Sequence, residues 1–92
     1  YLSYNLIKTI NSNAFDSLIN LRKLYLDQNQ IGFFKDNIFS KLEILEILNI
    51  SFNKYEYIKK FYFRNLKSLK ELDLSGNKII HIDTDSLAHL FN

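Results

Sequence analysis

From Leu21 the chain reads LRKLYLDQNQI, from Leu45 LEILNISFNKY and from Leu69 LKELDLSGNKI, three segments that begin 24 residues apart and share one order of apolar and polar positions. That order is apolar, two variable, apolar, variable, apolar, two variable, Asn, variable, apolar, and the opening YLSYNLI fits its later part. The register does not slip. Asn5, Asn29, Asn53 and Asn77 form one column, Leu2, Leu26, Ile50 and Leu74 a second, and Ile7, Ile31, Tyr55 and Ile79 a third. Within KLYLD, Leu24 and Leu26 alternate with Lys23, Tyr25 and Asp27, the pattern of a short strand with one buried face. The rest of each period is equally regular: Ile10, Phe34, Ile58 and Ile82 align, then Phe15, Phe39, Phe63 and Leu87, then Leu18, Leu42, Leu66 and Leu90. Parallel strands need a return of about a dozen residues between them. Each period therefore predicts one coil, made of a strand, a turn at the Asn and a return segment carrying inward-facing apolar residues.

The Asn side chain offers two donors and one acceptor, so it can satisfy backbone groups at the turn of its own coil and of the next. Asn5, Asn29, Asn53 and Asn77 accordingly read as structural. Phe15, Phe39 and Phe63, one ring per coil, read as a stacked aromatic spine within the core; Tyr62 beside them is expected to be half-buried.

Repeats account for the whole chain, as a partial copy over 1–20 followed by 21–44, 45–68 and 69–92, about 3.8 repeats in a single domain with no linker. With its recurring Asn and the Ala14-Phe15 pair, the pattern resembles the leucine-rich repeat family, in particular the typical 24-residue extracellular subclass found in Toll receptors and insect immune repeat proteins. The resemblance implies an α/β-type solenoid, a horseshoe segment with short parallel strands on the concave face and irregular or short helical crossovers on the convex one. Extracellular members usually close their ends with Cys-containing caps, and a solenoid needs polar ends to protect its core. Neither is present in a chain without Cys, and without Met Tyr1 is not a translation start, so a longer native protein is expected.

Composition narrows the function. Twelve basic and ten acidic residues leave a net charge of +2, too mild to announce a nucleic-acid or membrane-surface protein. There is no Cys nucleophile, no Gly-rich phosphate loop and no histidine pair at helical metal spacing, so no enzyme and no cofactor are expected. The alternating His81, Asp83 and Asp85 align with variable positions of the preceding coil and read as surface residues, leaving no expected metal site. A basic stretch containing Lys54, Lys59, Lys60, Arg64, Lys67 and Lys70 is interleaved with aromatics, the chemistry of phosphate binding. Because Phe63 and Leu66 within it belong to the core, it reads as a solvated face, and nucleic acid is not the expected partner.

The informative positions are the variable ones of the strands, which a parallel sheet holds side by side. Tyr1, Arg22, Lys23, Tyr25, Asp27, Ile47, Asn49, Glu71 and Asp73 make up this candidate partner-binding face, with Tyr25 as anchor, Arg22 and Lys23 toward an acidic group and Glu71 and Asp73 toward a basic one. A second candidate surface is a lateral patch of Phe33, Tyr57 and His81 with Phe61 nearby; sealing of the coil edges is the competing explanation. Asn49-Ile50-Ser51 is the single N-glycosylation sequon. The reading that follows is a protein-binding segment of an extracellular receptor or secreted recognition protein, binding a protein or peptide ligand and stacking on further repeats and caps of its own chain. Membrane attachment would come only through segments outside it. A cytosolic scaffold, a microbial surface adhesin and a structural spacer remain as alternatives.

Overall fold

The structure, a computed structural model, describes residues 2–11, 14–34, 38–59, 62–63 and 66–82, with 81 and 82 described for the backbone alone. Three strands, β1 (Lys23–Tyr25), β2 (Ile47–Asn49) and β4 (Glu71–Asp73), form a parallel sheet in the order β1-β2-β4. Its register is the 24-residue period itself: Lys23 pairs with Ile47 and Ile47 with Glu71, Leu24 with Leu48 and Leu72, Tyr25 with Asn49 and Asp73. The ladder runs past the strands. Leu2, Leu26 and Ile50 each donate an amide to the carbonyl of Tyr25, Asn49 and Asp73 respectively, and Tyr4, Gln28 and Phe52 do the same to Asp27, Ser51 and Ser75.

After each strand the Asn column locks coil to coil. Asn53 Nδ2 donates to the carbonyls of Ile50 and Ser51 in its own coil and of Leu26 in the preceding one, while its Oδ1 accepts the amide of Ile31 at 3.0 Å. Asn29 repeats the pattern onto Leu2 and Ile7, and Asn77 onto Ile50 and Tyr55. Asn5 bonds only to the carbonyls of Leu2 and Ser3 in its own coil. The residue immediately before each Asn of the column is left-handed, at Tyr4, Gln28, Phe52 and Gly76. Only at Gly76 does the sequence carry the usual signature of that conformation. There the missing Cβ also serves packing, since a Cβ would lie 2.5 Å from the Phe52 ring.

Among the described residues the return segments contain no α-helix and run as turns and irregular chain. They descend through successive three-residue turns, Leu42 to Phe39 and Leu45 to Leu42, repeated from Phe63 through Leu66 to Leu69. A feature the sequence did not predict is a second parallel pairing, β3 (Tyr57–Ile58) with β5 (His81–Ile82), which ties the returns of the last two coils together. Two-residue strands are too short to leave an alternation pattern.

The core lies between the sheet and the returns, with Leu26, Ile31, Leu42, Leu45, Leu48, Ile50, Ile58 and Leu66 wholly enclosed. Leu18, of the same column as Leu42 and Leu66, is 42% exposed, because its coil has a described neighbour on one side only. The expected spine of Phe15, Phe39 and Phe63 broadens into a network. Phe15 stacks on Phe39 at 6.0 Å, Phe39 meets the edge of Phe34 at 4.7 Å, and Phe34 touches Tyr55 at 4.9 Å and Tyr62 at 5.2 Å, from which contact passes to Phe63. Tyr62, expected half-buried, is 4% exposed, because Phe34 and Tyr55 stand where other coils have Ile and their rings reach it.

Tyr55 is fully enclosed, and its hydroxyl has no hydrogen-bond partner among the described residues. Burial, reinforced by nearby Tyr62, pushes its acidity far above the ordinary tyrosine value, so the group stays neutral. A buried hydroxyl without a partner keeps its desolvation cost. Tyr55→Phe is therefore expected to raise stability by about 1 kcal/mol in urea denaturation; a variant less stable than the parent would show that the hydroxyl is satisfied.

Candidate functional site

Strand alternation divides the sheet chemically. Leu24 and Leu48 point inward and are buried, whereas Lys23, Tyr25, Ile47, Asn49, Glu71 and Asp73 lie on the opposite face, Lys23, Glu71 and Asp73 exposed and the other three half-buried. Pairing puts them in two rows across the strands, Lys23–Ile47–Glu71 and Tyr25–Asn49–Asp73. Six of the nine residues expected to meet a partner are thus on one rigid surface. Arg22 and Asp27 flank it, and Tyr1 lies outside the described residues.

Several of these side chains already have partners within the chain. Arg22, expected to join Lys23 in meeting an acidic group, lies 3.5 Å from the Glu46 carboxylate, which Lys70 approaches at the same distance from the other side. The three residues form an alternating row along the margin of the sheet. Being largely exposed, such pairs add little stability, but they settle which charges face outward. Asp27 accepts a 2.6 Å bond from the Ser3 hydroxyl of the preceding coil. Asn49 Oδ1 accepts both the amide and the hydroxyl of Ser51, and Asp73 Oδ1 accepts the same pair from Ser75, at 3.0 and 2.6 Å. The Asn/Asp-x-Ser spacing is the sequence signal that these serines orient the side chain two places before them.

Tyr25, Ile47, Asn49, Lys70, Glu71 and Asp73 surround an open depression of about 510 Å³ on this face, floored by the backbone of Leu48 and Leu72. Glu46 and Lys70, paired along the margin of the face, complete its electrostatics. Nothing in the sequence revealed their pairing beyond the 24-residue register that makes them neighbours.

In the lateral patch, Phe33 and Tyr57 are each about half exposed, at 49% and 51%. Tyr57 is paired through its backbone with His81, and Lys59 places its ammonium 5.8 Å from the centre of the Tyr57 ring. Part of the basic stretch is thereby spent on the chain's own aromatic ring. Phe61 lies outside the described residues, as do Asp83, Asp85, Lys60 and Arg64. Among the described residues no group of three His, Cys, Asp or Glu could hold a metal ion, and no helix is long and apolar enough to cross a membrane.

The family model described as leucine rich repeat matches residues 1–31, 19–79 and 45–92, overlapping stretches that together span the chain. No curated protein matches the chain significantly.

The Ser75 hydroxyl, with the Ser75 amide second, holds the Asp73 carboxyl below the ordinary aspartate range against a smaller opposing effect of burial. Its bonds to the ionised form stabilise the fold above the usual aspartate pKa of about 3.9, and that contribution is lost as pH falls through the lowered value. A carbon-detected carboxyl titration should place Asp73 below a typical aspartate, and Ser75→Ala should bring it back up; an identical titration in that variant contradicts the assignment.

Proposed function

The chain belongs to the leucine-rich repeat family, and we propose that it is a protein-recognition segment of an extracellular receptor or secreted protein, with its partner lying on the concave face formed by β1, β2 and β4. Leucine-rich repeats are generally protein-binding and non-enzymatic modules. The observation that supports this particular face is the pair of rows Lys23–Ile47–Glu71 and Tyr25–Asn49–Asp73, six outward side chains of mixed chemistry held in fixed register. Side chains on adjacent paired strands lose little further freedom on binding, which favours affinity without new structure. Tyr25 is the anchor, bringing contact area and a polar end together. Curvature of the solenoid would wrap the face partly around its partner.

The extracellular assignment rests on the resemblance of the 24-residue period to the receptor subclass. Asn49 is the acceptor available for a glycan in this reading, and a glycan there would cover the middle of the face. The sequon's Ser51 is buried and bonded to Asn49 in the folded chain, so attachment would precede folding. Protein secreted from eukaryotic cells should lose mass at the Asn49 peptide on enzymatic N-glycan removal; an unchanged mass removes the glycan from the account. Sealing of the coil edges is the role this reading leaves to the lateral Phe33 and Tyr57.

Tyr25→Ala should weaken binding of a protein partner by at least about 1 kcal/mol while leaving the fold intact. Leu26→Ala, on the buried side of the same sheet, should instead cost about 2 to 5 kcal/mol of stability. Unchanged affinity in folded Tyr25→Ala, read by calorimetric titration, would move recognition away from this face.

A further inference from the structure

The depression on the sheet face has a charge that its composition does not show. Its lining contains one basic residue, Lys70, and two acidic ones, Glu71 and Asp73. The Lys70 ammonium, however, lies 3.5 Å from Glu46, as does the Arg22 guanidinium. Both cations of the margin are thus directed to a carboxylate outside the depression. Glu71 and Asp73 have no ion-pair partner among the described residues, and Lys23, the other cation of the face, stands two strands away across Ile47, a distance of about 10 Å. Among the described residues, the lining of the depression thus carries two carboxylates against one cation, which it shares with Glu46.

The two carboxylates are also placed for a particular shape. They come from alternate positions of one strand, so their backbone positions are about 6.6 Å apart on the same face, and no third acidic, His or Cys ligand among the described residues completes a metal site. Asp73 is held by two bonds from Ser75 to one of its oxygens, which fixes its orientation before any partner arrives. Beside them the half-buried Ile47 and Tyr25 offer apolar surface at the level of the sheet. Long basic side chains spread their methylene stems along such surface while their charged end stays at a polar edge.

We propose that this depression receives an arginine side chain of a partner polypeptide, its stem across Ile47 and Tyr25 and its guanidinium at the Glu71 and Asp73 carboxylates. The proposal rests on the reading of the sheet as the protein-docking face and specifies what that face recognises. Arginine is favoured over lysine because a planar group with donors on several edges can serve two separated carboxylates at once, whereas an ammonium is a point charge. The hydrogen bonds from Ser75 favour the ionised form of Asp73, so its carboxylate is charged at neutral pH.

The neighbouring coil supplies the control. Asn49 makes the same two bonds to Ser51 that Asp73 makes to Ser75, so Asp73→Asn removes the charge while preserving the turn. The test is a titration of the isotopically labelled chain with the peptides Ac-Ala-Arg-Ala-NH2, Ac-Ala-Lys-Ala-NH2 and Ac-Ala-Glu-Ala-NH2, followed by amide chemical shifts at low salt. The arginine peptide should give saturable shifts concentrated at Asn49, Glu71 and Asp73, the lysine peptide weaker ones, and the glutamate peptide none there. Asp73→Asn combined with Glu71→Gln should weaken the arginine peptide at least about fivefold with the remaining spectrum unchanged. An arginine peptide that produces no saturable shift at these amides, or that binds the double variant equally well, overturns the proposal. So does a glutamate peptide that shifts the same amides more strongly. Any of these results leaves the docking face itself standing, because that reading is decided by the Tyr25→Ala titration against a protein partner.

Discussion

One side chain per coil, the Asn after each strand, closes a gap that the backbone cannot close alone. At the turn out of the strand, the carbonyls of residues such as Leu26 and Ile50 and the amides of Ile31 and Tyr55 point into the interior with no strand partner. Asn53 and Asn77 fill these positions, each joining two coils through bonds of 3.0 to 3.1 Å or shorter to buried or half-buried backbone. Unmet, each such backbone group would cost about 1–3 kcal/mol. These bonds hold successive coils in one register at the turn, the same 24-residue register in which the strands pair.

What the ladder fixes, the functional face inherits. Because Asn locks the coils in register, Tyr25, Asn49 and Asp73 are brought abreast, and so are Arg22, Glu46 and Lys70. The second row shares one carboxylate between two cations and keeps a single positive charge, while Glu71 and Asp73 carry the negative charge of the depression beside it. A surface of this kind varies by substitution at solvent positions without disturbing the core behind it, since Leu24 and Leu48 are shielded by the sheet itself.

Legibility divided along the same line. Asn29, Asn53 and Asn77, and the alternation of Leu24 with Lys23 and Tyr25, could be read directly, because backbone satisfaction and burial impose a residue type at a fixed spacing. The left-handed turn at Tyr4, Gln28 and Phe52 could not, since only Gly76 in that column is a residue that prefers it. The pairing of Tyr57 with His81 left no trace because two residues cannot alternate. Phe34 and Tyr55 were each legible as apolar, but the network they form with Tyr62 depends on how large rings fill space left by Ile elsewhere. The Glu46 bridge and the Ser75 bond to Asp73 depend on side-chain placement that register permits without requiring.

The ladder makes a local claim that hydrogen exchange can read. In Asn53→Ala the amide of Ile31 loses the Oδ1 it donates to, while the amide of Tyr55, which bonds to Asn77, keeps its acceptor. Native-state exchange of this variant, compared with the parent, should show Ile31 losing protection by at least about tenfold more than Tyr55, as expected from one buried bond left unmade. Equal loss at the two amides, or full protection retained at Ile31, would contradict the account that Asn is what couples coil to coil.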